Sequence, residues 1–445
     1  MKARWLWLSA IALWVLMLSA PAGAQKKYDP GVTDTEIKLG QTMPYSGPVS
    51  AAGVIGRAER AYFKMLNEQG GINGRRVTFI SLDDGYSPPK TLEHTRRLIE
   101  QEQVLAIMGS FGSATNAAIQ KYLTERKIPQ LFIQAGASRW NDPVHFPWTM
   151  PLVPLIRSEA KAHGAHILQS NPNARVAVLY SNDDFGKDYI SGLKERLGAD
   201  AARLMVAEAS YETSDPTIDS QIVALKASGA DTLILAATPK FTAQAIRKVF
   251  DIDWHPTRYV VIVSTSPLVV LKPAGIEKST GVIAVTDEKA VGDPQWETDR
   301  EYQDWLAFMK AYFPDGDIND QFAFVGYGNA ILFAEVLRRC GDDLTREHLM
   351  SVAAHLQGVR IPYLLPGVSL NTSPTDYNPI KQMHFQRFNG QRCGNYSAIW
   401  LMGLRLVSGY GKRGVADHRR LLCEAERRNT SSISDRGRSA HRTAY

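Results

Sequence analysis

The sequence predicts an α/β protein built from two doubly wound lobes that share a hinge. Three observations support this prediction. From residue 36 onward, short β-branched runs alternate with amphipathic helical stretches, which is the pattern of parallel βαβ units. The same pattern restarts after residue 151. The chain has 445 residues, of which 44% are apolar, so it can bury more than one core.

The first lobe is predicted from the alternation that follows residue 34. Strands are expected at residues 36–42, 77–82, 104–108 and 130–133, with helices at 53–67, 88–101 and 113–125. This succession is typical of a Rossmann-like lobe with a doubly wound parallel sheet.

The second lobe is predicted from the pattern after residue 151. Helices are expected at residues 157–168, 185–197, 218–228 and 241–250, with strands at 175–180, 204–209, 232–236 and 259–263. Three later helices, at 294–312, 321–339 and 345–356, would complete the first lobe, and a last strand is expected at 382–388.

These elements define the predicted domain organisation. We assign residues 34–150 and 286–358 to the first lobe, and residues 151–285 and 359–392 to the second. The chain then crosses between the lobes three times, near Met150, Val285 and Gly358. Multiple crossings of this kind make a hinge.

The first 24 residues have the features of a cleavable signal peptide. Lys2 and Arg4 precede an uncharged apolar stretch, and the small residues Ala22 and Ala24 favour cleavage after Ala24. The alternative is a membrane anchor, but the apolar stretch at residues 5–18 is shorter than the roughly 20 residues of a membrane-spanning helix. We therefore expect a periplasmic protein.

The tail at residues 393–445 departs from the rest of the chain. Residues 394–445 carry ten Lys and Arg against four Asp and Glu, which accounts for the whole net charge of +6. The basic character therefore does not indicate a nucleic-acid or membrane partner. The tail is rich in Arg and Ser, so we predict that it is disordered. Three scattered cysteines, Cys340, Cys393 and Cys423, exclude a disulfide framework or a metal cluster.

Several short segments resemble those of a known family. They are GQTMPYSGP at 40–48, NEQGGING at 67–74, DDGY at 83–86, GSFGSATN at 109–116 and DDFG at 183–186. In this order and spacing they resemble the type I periplasmic solute-binding proteins of ABC transporters, in the branched-chain amino-acid and amide class that includes leucine-binding proteins. The resemblance covers residues 34–392, and family members usually end soon after that. Our hypothesis is that a frameshift near Cys393 replaced the normal ending.

The resemblance implies a function. Such proteins capture a small organic solute, such as a carboxylate, an aromatic acid, an amide or an amino acid, in the cleft between the lobes. They deliver it, as monomers, to a permease and its ATPase subunits. An alternative is a ligand sensor of the same fold. An enzyme is a further alternative, but the sequence has no G-x-G-x-x-G after a predicted strand, no Walker loop, no G-x-S-x-G and no H-E-x-x-H. We expect no cofactor and no metal.

Candidate binding residues follow the strands of the first lobe, since ligands of open α/β sheets bind beyond the carboxyl ends of strands. By family position, we predict contacts from Phe111, Ser113 and Ala114, where N–H groups at a helix start can hold a carboxylate. The alternative for Ser113 is that it caps its helix. Ala135 and Ser138 follow the next strand, and an ordinary loop serine is the alternative for Ser138.

The remaining candidates are spread over both lobes. Phe185 occupies the position of an aromatic that closes over the ligand in amino-acid binders, with a core contact as its alternative. Tyr327 could line the cleft from the hinge, although aromatics at helical spacing are more often core. Tyr45 and Tyr86 are further candidates. Amino-acid binders have cysteines at the positions of Tyr86 and Gly112, which implies that Tyr86 packs against the Gly112 loop.

One departure from the family bears on the ligand. Amino-acid binders place an acidic residue against the ligand's ammonium group, where this chain has Ser264, Thr265 and Ser266. A buried ammonium without a counter-charge costs several kcal/mol. Ala52 stands where those binders have a tyrosine, which leaves room for a larger ligand. With Ser264 as a candidate contact, we expect a carboxylate or amide that lacks an amine rather than leucine.

Overall fold

The structure is a computed structural model that describes residues 26–390 and 393–401, with side chains described as far as residue 390. The predicted signal peptide at residues 1–24 lies outside the described residues, and so does the predicted tail from residue 402 onward. Within the described ranges, no helix combines the length and the apolar character needed to cross a membrane.

The first sheet has five parallel strands. The elements in chain order are β1 (Lys27–Tyr28), β2 (Glu36–Met43), α1 (Gly53–Glu68), β3 (Arg76–Asp83), α2 (Pro88–Glu100), β4 (Ala106–Met108), α3 (Ser113–Glu125), β5 (Gln130–Ile133) and β6 (Thr149–Pro151). The strand order is β3-β2-β4-β5-β6, and each neighbouring pair is parallel. The predicted strands and helices of this region are present. The edge strand β6 was not predicted, because three residues that end in proline carry no β pattern.

The second sheet is built mainly from the chain after residue 156. Its elements are α4 (Ile156–Ser170), β7 (Val176–Ser181), α5 (Asp184–Leu197), α6 (Ala201–Leu204), β8 (Met205–Tyr211), α7 (Asp219–Ala227), β9 (Thr232–Ala236), α8 (Pro239–Asp251), β10 (Thr257–Val260), α9 (Lys272–Ala274), α10 (Ile276–Ser279) and β11 (Ile283–Thr286). The strand predicted at 259–263 ends earlier. The chain turns into a 3-10 helix at Ile262–Ser264, where the Ser264 N–H donates to the Val261 carbonyl.

The chain then returns to the first lobe with α11 (Arg300–Tyr312), α12 (Gln321–Cys340), β12 (Asp343–Leu344) and α13 (Arg346–Ala353). Helix α12 packs against α1, and β12 pairs with β1. One continuous core combines residues from 32–152 with residues from 291–380. The first lobe therefore needs the later helices to bury its apolar face.

The end of the described chain completes the second sheet. Strand β13 (Gln382–Phe388) pairs antiparallel with β11, and β14 (Cys393–Leu401) lies outside it, so the order is β14-β13-β11-β10-β9-β7-β8. The expectation of disorder from residue 393 is wrong for Cys393–Leu401, because β13 offers this segment a free edge to pair with.

The chain passes between the lobes at three places. The first passage follows β6 and the second follows β11, close to the predicted positions. The third lies between Ile380 and β13, later than the expected position near Gly358, because buried residues of 359–380 pack in the first core. The segment after β11 is held to the returning chain by an antiparallel bridge between Glu288 and Leu364.

Candidate functional site

A cavity lies where the strand ends of both sheets meet. It has about 860 Å³ of space free of protein atoms, part of which is open to solvent. The residues that line it are Ile55, Tyr86, Phe111, Gly112, Ser113, Gln134, Ala135, Gly136, Val153, Pro154, Asp183, Phe185, Thr238, Ile262, Val263, Thr265, Ser266, Glu288, Gln321, Phe322 and Val325. The wall is mostly apolar with a few polar groups, which is the usual make-up of a small-molecule site.

The first lobe contributes the N-terminal end of α3 to this cavity. The residue before the helix is Gly112, with a φ of 94°, and no side chain caps the helix. Ser113 is the first helical residue, so the alternative that it merely caps α3 is wrong. The N–H groups of a first helical turn have no partner within the helix. They therefore remain available to an acceptor group of a bound solute.

The loop before α3 is rigidly held. The Asn116 side-chain amide donates to the carbonyls of Ser110 and Gly112 at 2.9 and 2.7 Å. A Cβ at Gly112 would lie 2.2 Å from the Tyr86 ring, so only glycine fits beside that ring. The implied packing of Tyr86 against the Gly112 loop is thus confirmed. Tyr86 and Phe111 also lie near each other, with ring centroids 6.5 Å apart.

The second lobe contributes the start of α5. The Asp183 carboxylate caps this helix by accepting the Gly186 N–H at 3.1 Å. Burial raises the pKa of Asp183 above its ordinary value, and the hydrogen bond from Gly186 partly opposes that rise. Phe185 lies in the first turn of the same helix and lines the cavity.

The hinge contributes a carboxyl group and an amide. Glu288 follows β11, and its Oε2 accepts from the Gln321 Nε2 at 3.0 Å. Burial raises the pKa of Glu288 above its ordinary value, and the neighbouring charge of Asp287 adds to the rise, while the Gln321 hydrogen bond opposes it. Among the described residues, none that lines the cavity is a Lys or an Arg.

The structure brings five of the ten predicted site residues to the cavity wall: Tyr86, Phe111, Ser113, Ala135 and Phe185. It places the other five elsewhere. Ala114 lies in the first turn of α3 but outside the cavity lining. Tyr45 donates to or accepts from Ser81 at 2.6 Å, within the first lobe.

The last three predicted residues also have other contacts. Ser264 is buried and donates to the Ala237 carbonyl at 2.7 Å. Tyr327 lies in the first core, with its ring centroid 4.6 Å from that of Phe308. Ser138 contacts the second lobe instead of the cavity. Its N–H and hydroxyl both donate to Asp188 Oδ2, at 2.8 and 2.7 Å.

The Ser138 contact belongs to a polar connection between the two lobes. Arg139, the next residue, donates to Asp184 Oδ2 at 2.6 Å. Both acceptors lie on α5, whereas Ser138 and Arg139 belong to the loop after β5. This connection joins the lobes beside the cavity without lining it.

Several polar groups of the cavity were not predicted from the sequence, namely Gln134, Asp183, Thr238, Glu288 and Gln321. Gln134 and Asp183 follow strand ends, so strand-end position was a usable signal for them. Glu288 and Gln321 come from the hinge and from a helix start, and only the folded chain shows that they meet. The described residues contain no group of three or more His, Cys, Asp or Glu side chains able to hold a metal ion.

Comparison with known proteins gives a family match. The model of the family described as periplasmic binding protein matches residues 36–392. Leu/Ile/Val-binding protein homolog 7 of Brucella abortus is 24% identical over 210 residues, which cover 45% of this chain and 51% of that protein. An amino acid binding protein of Pseudomonas aeruginosa is 22% identical over 219 residues, covering 44% of this chain and 53% of that protein. The chain therefore spans about half the length of the curated relatives it matches.

Solved structures show the same fold. A branched chain amino acid ABC transporter protein from Thermus thermophilus with bound valine aligns with a TM-score of 0.75 at 15% identity, covering 85% of this chain and 100% of that one. A fatty acid ABC transporter substrate-binding protein from Thermomonospora curvata aligns with a TM-score of 0.72 at 20% identity, covering 88% and 97%. At these identities the likeness establishes the two-lobe α/β architecture.

Proposed function

This chain belongs to the periplasmic binding protein family, and on that premise we propose that it is the solute-capturing subunit of an ABC importer. The solute binds in the cavity between the lobes, the lobes close on it, and the closed form delivers it to a permease and its ATPase subunits. The protein acts as a monomer. The family is periplasmic, and residues 1–24 direct the export of this member.

The observation that carries the proposal is the cavity between the strand ends of the two sheets. Both lobes supply wall residues, so a solute bound there contacts both lobes at once. A ligand shifts an open–closed equilibrium only by its differential affinity for the two states. A solute that contacts both walls has such a difference, because the open form separates the walls.

We further propose that the solute has an apolar body and one acceptor end, as in a carboxylate or an amide. The apolar wall, including Phe111, Phe185 and Phe322, suits a hydrocarbon or aromatic body. The uncapped start of α3 suits the acceptor end. The fatty acid named for one relative agrees with this class, whereas the leucine, isoleucine and valine named for another share the carboxylate and apolar chain but add an ammonium group.

A thermal-shift series on the full chain tests the proposal. The probes are 4-methylpentanoate, 3-phenylpropanoate and the two matching amides, together with leucine and phenylalanine. A probe that binds only the folded state at 100 times its Kd stabilises it by about 2.7 kcal/mol, so the melting temperature rises. We expect such a rise with the carboxylates or amides and none with the amino acids.

Two results would contradict the proposal. A rise with leucine alone would overturn the choice of solute class. If mass spectrometry finds a product after incubation of any probe with the chain, an enzyme replaces the binding protein.

A further inference from the structure

The hinge side of the cavity carries the carboxyl group of Glu288, and solute capture alone does not explain why a carboxyl group is there. Glu288 presents a carboxyl group to a wall where, among the described residues, no Lys or Arg offers a counter-charge. The nearest ammonium along the chain belongs to Lys289, and it is already bonded to Asp299 and Glu301 at 2.9 and 2.8 Å. An ionised Glu288 would therefore be a half-buried charge without a cationic partner, which is costly.

The Gln321 amide fixes which oxygen of Glu288 accepts a hydrogen bond. Its Oε1 accepts from the Val291 N–H at 3.1 Å, and its Nε2 donates to the Lys289 carbonyl at 3.2 Å. Because both ends of the amide are held, its orientation is set, and Nε2 also donates to Glu288 Oε2. No described group donates to the second oxygen of Glu288, so that oxygen is the natural position for a proton.

The surroundings of Glu288 also favour the protonated form. Asp287, on the same segment, and Tyr363, on the segment that pairs with it, both face Glu288. Gln321 faces it from the start of α12, a helix whose N-terminus is capped by Asp320. Asp287 is itself buried, and its Oδ1 has no hydrogen-bond partner among the described residues. Glu159 of α4 faces Asp287 and adds a further acidic group. Burial raises the pKa of both Asp287 and Glu288, and the charge of Asp287 adds to the rise at Glu288.

We propose that the Glu288 side chain recognises the solute while it is itself a neutral, protonated carboxylic acid. Its Oε2 accepts a hydrogen bond from Gln321, and its protonated Oε1 donates a hydrogen bond to an oxygen of the solute. This inference rests on the proposed function and names the residue that selects the solute class. A donor at this position suits the oxygen of a carboxylate or an amide. It rejects an ammonium group, which has no lone pair to accept the bond.

The sign of the pH dependence follows from this arrangement. Glu288 must hold its proton to donate, and its pKa lies above the ordinary value of a glutamate. Affinity is therefore constant at pH values below that pKa and falls about tenfold for each pH unit above it, because binding then requires the uptake of one proton. A solute recognised through its ammonium group would show the opposite trend, with affinity rising as Glu288 ionises.

The test compares the wild-type full chain with Glu288→Gln by calorimetric titration between about pH 6 and pH 10. The probes are 3-phenylpropanamide and 4-methylpentanamide, which do not titrate in this range. Glutamine keeps a carbonyl for Gln321 and a donor for the solute. We expect Glu288→Gln to bind the amides within about threefold of wild type at neutral pH and to lose the alkaline decline. Asp183→Asn, the matched change at the other acidic wall residue, should keep the wild-type pH profile.

Three results would overturn the inference. The first is that the affinity of Glu288→Gln for the amides still declines at alkaline pH as in wild type, and the second is that this decline is lost in Asp183→Asn instead. The third is an affinity for phenylalanine that rises with pH in wild type and is lost in Glu288→Gln. Melting temperatures of both variants show whether they fold.

A ligand-free measurement separates this inference from the proposed function. The infrared difference spectrum of wild type minus Glu288→Gln should show the band of a protonated carboxylic acid at neutral pH. Its absence means that Glu288 is ionised and overturns the inference even if the amides bind. If the band is present and none of the carboxylate or amide probes binds, the proposed function fails, and solute recognition by Glu288 fails with it.

Discussion

Two helices begin at the same cavity, one from each lobe, and their first turns differ. Helix α5 of the second lobe is capped by its own chain, because the Asp183 carboxylate accepts the Gly186 N–H. Helix α3 of the first lobe follows Gly112 and has no side-chain cap. An internal cap uses up the donors that an anion or a carbonyl would need. The comparison teaches that the start of α3 leaves backbone donors free for a solute, whereas the start of α5 is capped by Asp183 and adds the apolar Phe185 to the cavity wall.

The largest expected effect comes from closing the space beside the α3 start. In Gly112→Ala the new Cβ meets the Tyr86 ring, and the backbone keeps a φ that L residues rarely adopt. The backbone strain alone costs about 1–3 kcal/mol of unfolding free energy, and the clash adds to it. We expect a lower melting temperature and a loss of affinity for 3-phenylpropanoate, measured by calorimetry.

The matched control for this change is Gly70→Ala. Gly70 has a φ of +100°, and a Cβ there would meet nothing within 4 Å. Gly70→Ala should lower the melting temperature through backbone strain but leave the affinity for 3-phenylpropanoate unchanged. Equal effects of the two substitutions on affinity would remove the Gly112 loop from the binding site.

A smaller effect is expected from changing the two helix starts in parallel. Asp183→Ala removes a cap and should lower the unfolding free energy by about 1 kcal/mol. Ser113→Ala removes no cap, so it should leave stability unchanged and weaken 3-phenylpropanoate binding by about 0.5–1.5 kcal/mol through the lost hydroxyl. Chemical denaturation and calorimetry measure the two quantities. The comparison fails if Ser113→Ala destabilises the fold as much as Asp183→Ala does.

The smallest effect is expected at the polar connection between the lobes. Arg139→Ala removes the ion pair with Asp184, in which the Arg139 side chain is 40% exposed. Exposed pairs contribute about 0.2–1 kcal/mol, so affinity for 3-phenylpropanoate should fall by less than about fivefold. High salt should weaken wild-type binding and leave Arg139→Ala almost unchanged, because salt screens exposed pairs. A salt dependence that is equal in both proteins would show that this pair does not contribute to closure.

Much of the fold was predictable because the alternation of strands and helices is a local property of the chain. The elements from β2 to β11 follow that alternation closely, apart from short pieces such as β6. The path of residues 359–380 was not predictable in this way. These residues have no helix or strand pattern, and their apolar side chains could fill either core. The choice of the first core depends on packing that only the folded chain reveals.

The candidate site was predictable to the extent that it follows strand ends. Phe111, Ser113 and Ala135 were found by that rule, and they line the cavity. Ser138 obeys the same rule, yet its hydroxyl bonds to Asp188, 50 residues later in the chain. Glu288 was missed because nothing near it in the sequence marks it as a wall residue. Its place depends on Gln321 and on the pairing of the hinge with Leu364, which are both long-range contacts.

The late return of the chain to both lobes has a consequence for folding. The first core needs α11 to α13, and the second sheet needs β13. Neither half can therefore reach its final packing while the ribosome has made only the early part of the chain. Contacts between distant segments slow folding, because the loops between them must close first. Completion of both cores therefore waits until residues 300–353 and 382–388 have been synthesised.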